Sequence, residues 1–206
     1  ALINNQPIKQ IIYSTKIEQF DEIRIKAKNN NIKLSLCTIK DAERISDTKN
    51  SQQIFALLEY PVLKNINTIS TNIEKPLIIL DGISDPGNMG TILRTCSWFG
   101  CYNIVLTNNS VELYNPKTVR AGMGAHFHME NTYKGSINDI IQYLKIYDYE
   151  VLTADLKGKN IEQVKLNNKS WSLILGNESQ GISNDFKNIS QQIHIPGKGK
   201  MESLNV

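Results

Sequence analysis

The 206-residue chain predicts an α/β protein in two parts, a small α/β unit followed by a larger one built on a parallel sheet. Two observations carry this. Short β-prone runs alternate with segments whose apolar residues recur at helical spacing. In the second part some of those runs are apolar throughout, Leu77-Ile78-Ile79-Leu80 above all, as strands buried on both faces of a parallel sheet are.

In the first part, Gln10-Ile11-Ile12-Tyr13 reads as a strand, and Ile17, Phe20, Ile23 and Ala27 follow at helical spacing. Lys33-Leu34-Ser35-Leu36-Cys37 alternates with period two, as a half-buried strand does. A short helix is expected over residues 41–45 and a further strand over residues 53–58. Residues 61–74, rich in Asn and Thr with Pro76 just beyond, read as a linker. The boundaries expected are therefore 1–73, linker included, and 74–206.

In the second part, strands are expected at residues 77–80, 103–106, 150–153, 171–175 and 192–195, and helices at 89–99 and 137–144. Asn88 is the expected N-cap of the first of these helices and Gly100 closes it at C′. Alternating strand and helix puts a ligand site at the carboxyl ends of the strands.

Composition sets outer limits. With 40% hydrophobic and 21% charged residues, extensive disorder is excluded. No run approaches the roughly 18 consecutive apolar residues of a membrane helix. The first residues, Ala1-Leu2-Ile3-Asn4-Asn5, lack the charged n-region and apolar h-region expected of a signal peptide. Three cysteines without a CxxC fit a reducing compartment, and a cytoplasmic protein is expected. The net charge of +3 sits in residues 1–75, where Lys and Arg exceed Asp and Glu by 11 to 8; from Pro76 on they balance at 12 to 12. That surplus permits nucleic-acid binding without establishing it.

Three segments that follow expected strands can hold chemistry. In Asp81-Gly82-Ile83-Ser84-Asp85-Pro86-Gly87-Asn88-Met89-Gly90-Thr91-Ile92-Leu93-Arg94, a turn leads into a helix. Helical side chains lean toward the N-terminus, so Arg94 is expected to reach back over Gly90, where a missing side chain leaves room. A solvated helix Arg, or one paired with a surface carboxylate, is the plain alternative. In Leu175-Gly176-Asn177-Glu178-Ser179-Gln180-Gly181-Ile182, two glycines flank a carboxylate, which suits either a close backbone approach to a ligand or an ordinary turn. The third is Ile195-Pro196-Gly197-Lys198-Gly199-Lys200-Met201-Glu202-Ser203-Leu204-Asn205-Val206. It lacks the spacing and the Ser or Thr of a P-loop, and no strand leads into GxGxxG. His126 and His128, two apart on an expected strand, could face one way, but no third ligand has suitable spacing and no metal is expected. Cys96, Trp98 and Trp171 are expected to be packing residues.

Together these segments resemble the three signature motifs of the SpoU (TrmH-like) RNA 2′-O-ribose methyltransferases of the SPOUT superfamily. The first motif resembles Asp85-Pro86-Gly87-Asn88-Met89-Gly90 running to Arg94. The second resembles Leu175-Gly176-Asn177-Glu178 with Gly181, and the third Ile195-Pro196 followed by Ser203-Leu204-Asn205-Val206. Residues 117–125 are similar to the family's intervening helix and turn, with Gly122 where Ser is common. Residues 44–52 resemble the end of the small L30e-like substrate-binding domain of many members. The match covers nearly the whole chain.

The resemblance implies a trefoil knot at the cofactor site, a homodimer, and S-adenosylmethionine held by backbone around Leu106, Thr107, Gly176, Asn177, Ile195 and Leu204. It implies that Arg94 handles the target 2′-hydroxyl while Asn88, Glu178, Ser203 and Asn205 arrange the pocket. It implies an RNA substrate, with ribosomal RNA of the 23S type ahead of transfer RNA. Family members continue past Ser-Leu-Asn-Val into a further helix, and this chain lacks an initiator Met, so it is expected to be part of a longer one. Two rival readings stay open: a non-catalytic RNA-binding protein on the same scaffold, and an unrelated small-molecule α/β enzyme.

Overall fold

The computed structural model of the chain describes residues 8–14, 20–46, 52–73, 76–129, 131–167 and 170–197. Two compact units emerge, residues 1–61 and 62–206.

The first unit runs β1 (Ile8–Ser14), α1 (Phe20–Asn29), β2 (Lys33–Cys37), α2 (Ile39–Ile45) and β3 (Ile54–Leu58). β1 lies in the middle, parallel to β2 and antiparallel to β3. α1 carries Asp21 and Glu22 in its first turn and Lys26 and Lys28 in its last, each matched to the helix dipole. Thr38 caps α2 by accepting the Asp41 N–H at 3.1 Å. The core here is small: Ile11, Ala27 and Ala42 are its buried apolar residues among those described.

The second unit runs β4 (Lys64–Asn65), β5 (Leu77–Asp81), α3 (Pro86–Trp98), β6 (Asn103–Thr107), α4 (Pro116–Ala121), β7 (Asn131–Gly135), α5 (Ile137–Ile146), β8 (Glu150–Asn160), β9 (Trp171–Gly176), α6 (Asn184–Lys187) and β10 (Gln191–His194). Its seven strands lie in the order β10-β8-β9-β5-β6-β7-β4. Every pairing between them is parallel. β5 and β6 are buried at all five positions, because alternate residues feed two cores. Ile79, Val105 and Ile174 pack with Ile140, Leu144 and Phe186 on one face. Ile78, Leu80, Ile104 and Leu106 pack with Met89, Ile92 and Leu93 on the other. At roughly 1.5–3 kcal/mol for each large apolar side chain buried, these layers hold the strand ends in place.

Several expectations need correction. The segment read as a linker is partly structural: β4 pairs with β7, and Ile66 is fully buried. Ile66 fits there because Gly135 has no side chain; a Cβ would lie 2.6 Å from Ile66 Cγ2. Tyr143 ties the same segment down, its hydroxyl donating to Thr71 O at 3.1 Å and accepting from the Ile73 N–H at 3.0 Å. Asn88 is not the N-cap of α3. Asp85 is, its carboxylate accepting the Asn88 N–H at 2.8 Å, with Pro86 in the first helical position. Gly100 does close α3, at φ +72°. His126 and His128 fall on a 3-10 turn, Ala125–His128, and not on a strand. Trp98 is 85% exposed, so it is no packing residue, whereas Cys96 is buried and burial beside Cys101 pushes its thiol up to about 12. No helix among the described residues is long and apolar enough to cross a membrane.

Candidate active site

A parallel sheet brings the carboxyl ends of its strands to one edge. At that edge β5, β6 and β9 finish with Asp81, Thr107 and Gly176 on adjacent strands, with Leu80 in register with Leu106 and Asp81 with Gly176. The loops that leave these strands are tied to one another by side chains. Thr107 Oγ1 accepts the Gly82 N–H at 2.9 Å and lies 2.6 Å from Asn109 Oδ1. Asn177 Nδ2 donates to Gly82 O at 2.8 Å and to Ser84 Oγ at 3.2 Å. Its Oδ1 accepts the Ser179 and Gln180 N–H groups at 2.9 and 3.0 Å. With every amide hydrogen and lone-pair direction engaged, Asn177 is a fixed joint between the two loops.

Gly176 and Gly181 make the second loop possible. A Cβ on Gly176 would lie 2.5 Å from Ile182 Cγ1 and 2.6 Å from the Gly181 carbonyl carbon, so the chain folds back where only glycine fits. Gly181 has φ +71° and donates its N–H to Asn177 O at 2.8 Å. Asp81, 2% exposed, takes the Ser183 N–H on Oδ2 at 2.7 Å and holds the far end of the same loop. Its other oxygen is buried without a partner among the described residues.

This framework brings two of the expected site residues into contact across 90 positions of sequence. Asn88 Nδ2, on the first turn of α3, donates to Glu178 Oε1 at 2.5 Å. Arg94 lies further along α3, exposed, with no hydrogen-bond or ion-pair partner among the described residues. The room expected for it over Gly90 is occupied: a Cβ there would lie 2.5 Å from Ala121 Cβ and 2.6 Å from Thr118 O, so α4 fills the gap. Leu106 buries its side chain and can offer only backbone, while Ile195, just past β10, is 64% exposed. Ser203, Leu204 and Asn205 lie outside the described residues. Asp81 and Ser84 were not foreseen as site residues; the only signal was a carboxylate ending an apolar strand.

His126 is structural. It is buried, its Nε2–H directed at Leu113 O at 2.9 Å, and burial holds its pKa below the ordinary imidazole value despite that bond. No group of three metal-ligating side chains occurs among the described residues.

Residues 75–206 match the family described as SpoU rRNA Methylase. The chain belongs to this family. A protein of Borreliella burgdorferi named an uncharacterized tRNA/rRNA methyltransferase is 32% identical over 207 residues, spanning 95% of this chain and 91% of its own. The 23S rRNA (guanosine(2553)-2′-O)-methyltransferase RlmP of Bacillus subtilis is 28% identical over 163 residues, 79% of this chain and 63% of its own. The AdoMet-bound rRNA methyltransferase of Sinorhizobium meliloti shares the fold, with a TM-score of 0.84 at 24% identity over 99% of this chain and 77% of its own. So does the SpoU methyltransferase AviRb of Streptomyces viridochromogenes, solved with AdoMet, at 0.82 and 18% identity over 100% and 79%. Membership agrees with what the three motif segments implied, and this SpoU chain is an RNA methyltransferase.

Proposed function

We propose that this chain moves a methyl group from S-adenosylmethionine to a ribose 2′-hydroxyl of structured RNA, with 23S-type ribosomal RNA as the substrate ahead of transfer RNA. The observation that carries the reading is the Asn88–Glu178 contact at the carboxyl edge of the sheet, which joins two motif segments 90 residues apart. The 2′-O position and the 23S substrate draw support from the name of the Bacillus relative. In the same reading, residues 1–61 are an L30e-like RNA-binding unit, the strand-edge loops form a trefoil knot, and the protein works as a homodimer in the cytoplasm.

The residues present fit the cofactor. The ends of β6 and β9 offer backbone at Leu106, Thr107, Gly176 and Asn177, and Ile195, just past β10, presents an exposed apolar side chain. Leu204 would complete that set, with Ser203 and Asn205 arranging the pocket. When bound, S-adenosylmethionine supplies an electrophilic methyl group on a sulfonium.

The protein's share is positioning and charge. The Asn88 amide holds the Glu178 carboxylate over the first turn of α3. A guanidinium keeps its proton at any working pH. Arg94 therefore orients the 2′-hydroxyl and the neighbouring phosphate, and it stabilises the negative charge that develops on the ribose oxygen. The hydroxyl proton passes to phosphate or water.

The test is transfer of labelled methyl from S-adenosylmethionine to unmodified ribosomal or transfer RNA, followed by alkaline digestion. A 2′-O-methyl blocks cleavage at its own nucleotide, so label is expected in alkali-resistant dinucleotides from ribosomal RNA. Label confined to alkali-sensitive mononucleotides, or absent from both RNAs, would contradict the reading.

A further inference from the structure

The strand β8 leaves its ladder and returns. Gln191 and Gln192 of β10 pair with Leu152 and Thr153, and the next two residues, Ile193 and His194, pair with Lys159 and Asn160. Residues 154–158 therefore bulge out of register within β8, opposite no residue of β10. The bulge begins one step past Thr153, which is in register with Ile174, two residues before Gly176, so it starts at the carboxyl edge that carries the candidate site.

The bulge is pinned at both ends. Gly158 passes so close to β10 that a Cβ would lie 2.4 Å from the Gln192 carbonyl carbon and from the Ile193 nitrogen, and its carbonyl is 2.8 Å from His194 Nδ1. At the other end Asp155 meets the Lys187 ammonium of α6 at 2.6 Å and takes the Lys157 N–H at 3.0 Å. Lys187 holds the Asp155 carboxyl below its ordinary range, as an ion pair at the base of a turn should. Between the pins Leu156 is 69% exposed, and Lys157 is exposed beside it. Lys159 and Lys165 are exposed just beyond. The carboxylates of this stretch are Asp155, already engaged by Lys187, and Glu162.

We propose that the pinned bulge of β8 is a second RNA contact, in which Lys157 and Lys159 engage backbone phosphates and Leu156 packs against an unstacked nucleotide near the methyl-transfer site. It rests on the methyltransferase reading. The charge selects the partner: three exposed lysines with one uncommitted carboxylate among them suit a polyanion. A fixed turn also loses little freedom on binding.

Lys157→Gln/Lys159→Gln and Leu156→Ala, at exposed positions, test it without threatening the fold. Binding of an unmodified ribosomal RNA transcript is measured across a salt series, with KM and kcat for methyl transfer and the dissociation constant for S-adenosylmethionine. The double variant is expected to lower the slope of log affinity against log salt by about 1.5 and to raise KM on the order of tenfold, with kcat and cofactor binding unchanged. Leu156→Ala is expected to raise KM with the salt slope unaltered. A double variant with the wild-type slope and KM overturns the proposal, and so does a Leu156→Ala variant that changes the sedimentation of the protein while leaving RNA affinity alone. If the wild type methylates RNA and both variants match it, only this inference falls; if the wild type binds no RNA, the functional reading falls with it.

Discussion

His126 shows how one buried side chain ties stability to pH. Its pKa is held below the ordinary value of 6.5, chiefly by burial, so the folded protein binds fewer protons there than the unfolded chain does. The stability this confers is complete above about pH 6.5 and is lost as pH falls through the folded-state value. Urea midpoints are therefore expected to decline from pH 7.5 to 5.5 in the wild type and to decline less in His126→Gln. Equal slopes would mean that the ring is not held neutral. His126 also explains why position 122 holds a glycine: a Cβ there would lie 2.7 Å from His126 Cε1. Sequence alone could name Asn88 and Glu178 through the motifs. It could not name Asp81, because nothing in a carboxylate at a strand end shows that it will hold the Ser183 N–H across 102 positions.

At the scale of elements, the buried strands were the legible part. β5, β6 and β9 are apolar because both faces are covered, and that pattern survives in any single sequence. β4 and β7 were not legible. Lys64–Asn65 and Asn131–Gly135 owe their pairing to tertiary placement, with Ile66 seated on Gly135, and their composition reads as loop. The start of α3 was misplaced by three residues because Asp85 and Asn88 are both good caps, and the Pro at 86 decides between them. The crossing of α3 and α4 was missed because a helical glycine advertises space without saying what occupies it. Gly90→Ala is expected to cost about 1–3 kcal/mol of stability by urea denaturation, since overpacking against Thr118 O and Ala121 outweighs the better helix propensity of Ala. A neutral or stabilising result would mean that the α3–α4 contact yields easily.

The whole molecule divides at residue 61, and that boundary sets where the proposed RNA-binding unit can be removed. Removing residues 1–61 is expected to weaken RNA binding while leaving S-adenosylmethionine binding intact, measured by titration calorimetry for the cofactor and filter binding for RNA. Unchanged RNA affinity would contradict an RNA-binding role for that unit. A longer deletion, to residue 73, would strip β4 and the buried Ile66 from the sheet and destabilise the methyltransferase unit itself.

The central claim is that α3 presents Arg94 to the target ribose from a site whose frame is the Asn88–Glu178 contact. The direct measurement is methyl transfer by Arg94→Ala into ribosomal RNA, made beside its affinity for S-adenosylmethionine. The account predicts a fall in transfer on the order of 100-fold or more, with cofactor affinity unchanged. Transfer at the wild-type rate would contradict it.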